Sequence, residues 1–315
     1  MPGRLFWIIN MHYMRYFSSF ILLFAFQCLS AQNVDLQERL VYSSVEDALA
    51  AKGPVLSLNL RDQALFSVDN LLRNFPELEV LNLMRNNLES WDADIFIFPD
   101  LQVLNLRSNH LMSFHSDLGK LNKLVRLNLA KNQLKDIGAA IGDLKDLKYL
   151  HLQLNYIHQI DEAILNCQKL EVLELQGNQL SHLPKGAYQL KKLRKLDLGY
   201  NQFHRLDNDL EAWKALEILN LESNALQYLP KSIGALKNLK SLTLTNNQLK
   251  ILPDEICELK NLEVLVLSGN QLKRLPAEVD KLKSLQTLIL KGNPISLEER
   301  ERLQKLLPEV KIYFE

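Results

Sequence analysis

Leucine recurs along most of this chain at offsets that suit neither a lone helix nor a long strand. Asn86, Asn109, Asn132, Asn155, Asn178, Asn201, Asn224, Asn247, Asn270 and Asn293 stand 23 residues apart without an insertion. The residues five and three before each of them are always leucine. Eight before, the column is leucine again, and two after it holds Leu88, Leu111, Leu134, Ile157, Leu180, Phe203 and their successors. One step further back, Gln63 replaces the asparagine while Val55, Leu58, Leu60 and Leu65 keep the pattern, so the array has eleven turns, the first slightly degenerate. Alternation around the two central leucines has the period of a short strand, and apolar residues near nine and twelve after Asn face inward from a returning segment. Each turn therefore reads as strand, corner and short helical return, with four apolar columns merging into one core.

The stretches LEVLNLMRNNL at 78–88 and LEVLVLSGNQLKRLPAEVDKL at 262–282 resemble the leucine-rich-repeat family, and the resemblance covers roughly residues 55–296. It implies an α/β repeat fold: a right-handed solenoid or horseshoe with a parallel concave sheet and short helical or 3-10 convex returns. It also implies that the asparagines form a ladder bonding the corner backbone of adjacent turns, which corner N–H and C=O groups facing the core require. Pro184, Pro230, Pro253 and Pro276 fall where a fixed φ suits the first residue of the return helix. Other turns put Asp69, Asp92, His115, Gly138, Asp161 or Asp207 there, so returns of varying quality are expected.

A solenoid must cover its terminal turns, or a row of leucines and an open sheet edge face water. Residues 32–54 are expected to form an N-terminal helical cap: Ser43-Ser44-Val45-Glu46-Asp47 opens a short helix with Ser and Glu in capping-box spacing, and Val45, Leu49 and nearby alanines cover the core. Residues 297–315 form the other cap. Ser296-Leu297-Glu298-Glu299 starts a helix carrying Leu303, Leu306 and Leu307 that ends near Pro308, and Val310, Ile312 and Phe314 alternate as a last strand would. No appended domain is expected.

The first thirty residues differ in kind. Arg15 precedes an apolar stretch from Tyr16 to Phe26, and Cys28-Leu29-Ser30-Ala31 supplies small residues for cleavage before Gln32, the layout of a secretion signal over residues 1–31. Met14 would give the most compact signal. The stretch is too short for a bilayer span of about 20 residues, so no transmembrane anchor is expected. Lipidation at Cys28 is disfavoured because Phe26 and Gln27 precede it. The product expected is secreted or periplasmic, and monomeric.

Composition adds constraints. Basic and acidic residues balance at 37 each, and cleavage would remove Arg4 and Arg15, leaving 35 against 37. That balance gives no global field for nucleic acid. Cys167 and Cys257 lie four turns apart, roughly 19 Å at the spacing of stacked strands, beyond the reach of a disulfide.

No nucleophile–base, paired-carboxylate or phosphate-loop motif stands out, so no enzyme, cofactor or metal is expected. His151, Glu174 and Asp197 share one column on consecutive strands and could approach a metal, but such a column reads first as solvated side chains that diverge with sheet curvature. Function is expected in the outward strand positions. The richest are Arg107, Arg126, Tyr149, His151, Glu174, Asp197, Tyr200 and Glu222, with Tyr156 just beyond its asparagine. Basic members come first and acidic ones later, and Tyr and Arg favour interface centres, so a protein partner is expected there. Reversing Arg126 with Glu174 should weaken binding without unfolding the array. A glycan reading would instead recruit the amides of Asn59, Asn82, Asn105, Asn128 and Asn220 with Tyr149 and Tyr156. An intracellular scaffold is the reading left if the signal is unused.

Overall fold

The first of each pair of central leucines becomes the buried middle residue of a three-residue strand, and the second, also buried, follows the strand's end. The computed structural model describes residues 40–315; the signal segment, Met14, Cys28 and Ala31 lie outside them. Residues 41–315 make one compact unit. Its strands are β1 (Ser57–Asn59), β2 (Val80–Asn82), β3 (Val103–Asn105), β4 (Arg126–Asn128), β5 (Asp136–Ile137), β6 (Tyr149–His151), β7 (Gln159–Ile160), β8 (Val172–Glu174), β9 (Lys195–Asp197), β10 (Ile218–Asn220), β11 (Ser241–Thr243), β12 (Val264–Val266), β13 (Thr287–Ile289) and β14 (Lys311–Tyr313). Twelve of them form a single parallel sheet in chain order. Strict register places Leu58 beside Leu81 and Leu265 beside Leu288, so leucine stacks on leucine along the core. The fold is a leucine-rich-repeat solenoid with this sheet on its concave side.

β5 and β7 pair separately from the main sheet, an addition that the 23-residue pattern does not announce. The convex returns are 3-10 segments of three to five residues, among them Ser116–Lys120, Ala139–Asp143 and Asp254–Glu258. Pro230 and Pro253 sit one residue earlier than expected. Each occupies the N-cap in extended conformation, with ψ of 152° and 146°, and the return begins at the next residue. His115 Nδ1 and Asp161 Oδ1 cap equivalent returns by accepting backbone N–H bonds at 3.0 and 2.8 Å.

Every corner uses its asparagine fully. Asn109 Nδ2 donates to the carbonyls of Leu83 at 2.9 Å and Leu106 at 3.0 Å, and its Oδ1 accepts from the Leu88 N–H at 3.1 Å. The same three bonds recur from Asn132 to Asn293, for example at Asn155 with Leu129, Leu152 and Leu134. The residue just before each asparagine is left-handed, with φ from 51° at Ser223 to 70° at Gly177 and Gly292. That conformation turns the chain from the strand into the corner, at a cost of roughly 1–2 kcal/mol where the residue carries a Cβ.

At the N-terminal end, α1 (Val45–Leu49) is capped by Ser44 Oγ, which accepts from the Asp47 N–H at 3.0 Å, one residue along from the Ser43 and Glu46 spacing. Ala48 is buried on the first turn, whereas Leu49 points into solvent and covers nothing. At the other end, α2 (Leu297–Leu306) buries Leu303 and is followed by the buried Leu307, while β14 pairs with β13. Glu299 does not close a reciprocal capping box. Its carboxylate accepts from the Leu275 N–H of the preceding turn at 2.9 Å and holds Arg302 at 2.7 Å. Cys167 and Cys257 are both buried and unbonded to each other.

Candidate binding surface on the concave sheet

Side chains at alternate strand positions leave the sheet on the face away from the core, so neighbouring strands present columns of them about 4.8 Å apart. At the centre of this face, on β8, stands Glu174. His151 Nδ1 on β6 lies 2.7 Å from its Oε2, which also accepts from Gln153 Nε2, and Lys195 Nζ on β9 lies 2.5 Å from its Oε1. Only 9% of His151 and 9% of Glu174 remain accessible. The expectation of a solvated, diverging column is therefore wrong at this point. On the inner side of a curved sheet side chains converge, and these close over one another.

Electrostatics follow from that closure. Burial alone would push the Glu174 carboxyl up, but the His151 hydrogen bond and the Lys195 charge outweigh it and hold it at about 2. Reversing its charge would set it against Lys195 and break its bond with His151 at a nearly buried position, so Glu174 is a structural carboxylate here and not a freely exchangeable surface charge. Arg126 lies over the Tyr149 ring, 4.4 Å from its centroid, and burial lowers its guanidinium from the ordinary value. Gln153 Oε1 is buried and accepts no hydrogen bond.

Asp197 occupies the next place in the column but does different work. Its Oδ1 accepts from the Gly199 N–H at 3.1 Å and from Asn220 Nδ2 at 2.9 Å. Asn82, Asn105, Asn128 and Asn220 close the ends of their strands in the same way, each Oδ1 accepting from the N–H two residues on. Asn82 also donates to Asn59 Oδ1 at 3.0 Å. This row is thus part of the scaffold, and few of its amides remain open to a sugar. Burial, reinforced by Glu174, raises the Asp197 carboxyl to about 6 against the opposing Gly199, Lys195 and Asn220 groups. Among the described residues no group of three or more His, Cys, Asp or Glu is placed to hold a metal.

Beyond the strand ends lies an apolar rim. Leu154, Tyr156 and Tyr200 are 42, 52 and 37% accessible. Leu154 lies over Gly177, where an added Cβ would come within 2.7 Å of Leu154 Cδ2. Tyr200 Oη donates to Glu222 Oε1 at 3.1 Å, and burial raises both groups. Arg107 joins none of these contacts.

The sequence singled out the His151–Glu174–Asp197 column and named Arg126 and Tyr149 separately, yet missed their contact with each other and missed Lys195, Gln153 and Leu154. Lys195 meets Glu174 diagonally, from a different column of the next strand, and only a reading across columns would have found it.

Comparison with known proteins places this geometry. Leucine-rich-repeat models match residues 76–134, 122–180, 145–203 and 168–226, and a leucine-rich repeat region model matches 201–308. No curated protein matches the chain. A solved Listeria monocytogenes internalin is 22% identical over 82% of this chain and 74% of its own, with a TM-score of 0.71. The Arabidopsis receptor kinase HAESA, solved in complex with the peptide hormone IDA and the co-receptor SERK1, is 30% identical over 70% of this chain, with a TM-score of 0.61, and the chain spans 38% of its length. A Leptospira interrogans leucine-rich-repeat protein is 30% identical over 88% of this chain and all of its own, with a TM-score of 0.45. The family models together run from residue 76 to 308, well over half of the 315 residues, and the chain belongs to the leucine-rich-repeat family.

Proposed function

We propose that the protein is a non-catalytic, extracytoplasmic binding protein whose concave face recognises a peptide or protein segment at turns four to seven. The observation that carries this reading is the exposed Leu154–Tyr156–Tyr200 rim standing beside a pre-ordered polar floor of Arg126, Tyr149, His151, Gln153, Glu174 and Lys195. Aromatic and aliphatic side chains on a rigid frame bind with little ordering penalty. HAESA, in its complex with a peptide hormone, supports peptide recognition by this architecture. An extracytoplasmic setting rests on the signal-like residues 1–31, and among the described residues no helix is long and apolar enough to cross a membrane.

Peptides enriched from a displayed random library on the immobilised protein test the site. Leu154→Ala with Tyr156→Ala should weaken the enriched peptides at least tenfold, whereas Ile251→Ala, at an exposed residue about four turns along the array from them, should not. Equal affinity of the rim variant and the wild type would remove turns four to seven as the site.

A further inference from the structure

The flank leading into the strands carries a second surface. Lys191, Lys214, Lys237, Lys260 and Lys283 recur 23 residues apart, all exposed, giving five ammonium groups along about 19 Å of stacked turns. Lys237 pairs with Glu258 at 2.7 Å. Lys214, Lys260 and Lys283 have no side-chain partner among the described residues.

Beside this row runs a groove of about 370 Å³ lined by Arg194, Ala215, Glu217, Asn238, Lys240, Asn261, Glu263 and Ser284. Lys214, Lys237, Lys260 and Lys283 each immediately precede one of the lining residues, so the lysine row runs along the chain beside the groove. Arg194, Glu217 and Lys240 bond one another along its floor, at 2.6 and 3.0 Å. Asn238 and Asn261 are exposed and use Nδ2 to bond the Lys214 and Lys237 carbonyls at 2.6 and 2.8 Å, leaving each Oδ1 as an acceptor.

We infer that this flank is a docking surface for an anionic polysaccharide, its lysine row pairing with sulfate or carboxylate groups and the Asn238, Asn261 and Ser284 side chains meeting sugar hydroxyls. Charge complementarity favours a linear polyanion, since five exposed lysines stand here in one straight row at the spacing of the stacked turns. Single-stranded nucleic acid is the less suited polyanion. Its binding sites stack bases on aromatic rings, and this groove is lined by none.

The test uses the full chain with a fluorescent heparin octasaccharide, titrated at several salt concentrations. Lys214→Gln, Lys260→Gln and Lys283→Gln together should lower affinity at least tenfold and flatten the salt dependence, because each lost contact releases fewer counterions. The equally charged control Lys52→Gln, Lys135→Gln and Lys305→Gln should leave both unchanged, as should the rim variant of Leu154 and Tyr156. Equal losses in the two lysine triples would overturn the proposal, as would absent wild-type binding near 0.15 M salt. Tighter binding of a single-stranded oligonucleotide of matched charge, or loss of heparin binding in the rim variant, would overturn it too.

Discussion

At the scale of single residues, the concave centre holds two carboxylates with opposite pH behaviour a strand apart. Asp197 is raised to about 6, above its ordinary value near 4, so its contribution to stability is full below pH 4 and lost as pH rises through 6. Glu174 is held at about 2, so its contribution is full above its ordinary value and lost as pH falls towards 2. Asp197→Asn should therefore raise the melting temperature at pH 7.5 and change it much less at pH 4, since Asn already fills this place at Asn82, Asn105, Asn128 and Asn220. Thermal melts across pH 4–8 check this, and an equal shift at both ends would show that the Asp197 charge carries no penalty. What was legible at this scale was whatever repeats. The asparagine of each corner announces itself ten times. The left-handed residue before it does not, because Arg85, Ser108, Lys131, Leu154, Tyr200 and Asn246 share a backbone conformation and no chemistry. Burial of His151 and Glu174 was hidden for a related reason: it depends on how three adjacent strands curve together.

At the scale of elements, the caps do work that the inner turns receive from their neighbours. Glu299 supplies the Leu275 N–H with an acceptor and anchors Arg302, which reaches the Leu275 carbonyl at 3.0 Å. The sequence showed a helix start at Ser296 but not this reach, since capping-box spacing predicts a bond within the helix and the carboxylate instead crosses to the previous turn. Asp92 and Asp94 make equivalent crossings near the other end, to the Val68 and Asn70 N–H groups at 2.5 and 2.6 Å. Glu299→Ala should cost about 2 kcal/mol by leaving a buried N–H without its acceptor. Hydrogen exchange should locate the loss first in β13, α2 and β14, the last units of a stack whose stability passes from neighbour to neighbour. Protection lost evenly along the chain would mean that the cap is not a separate unit.

For the whole molecule, eleven near-identical turns make a frame on which three surfaces differ: a polar concave floor, its apolar rim and a lysine-edged flank. The frame was readable from period alone, and the surfaces only in part, because period reports what the turns share and binding uses what they do not. One consequence of the corner ladder concerns length. Asn247 reaches the carbonyl of Leu221 at 2.9 Å, and with residues 218–240 excised it would stand the same distance along the chain from the equivalent Leu198. Such a protein should still melt cooperatively, whereas excision of 219–240, one residue fewer, should not, as circular dichroism melts of the two would show. Comparable melts would mean that the corners tolerate slippage. The solenoid behaves as a ruler with fixed notches: it can be shortened or extended to suit a partner of another size, but only by whole divisions of 23 residues.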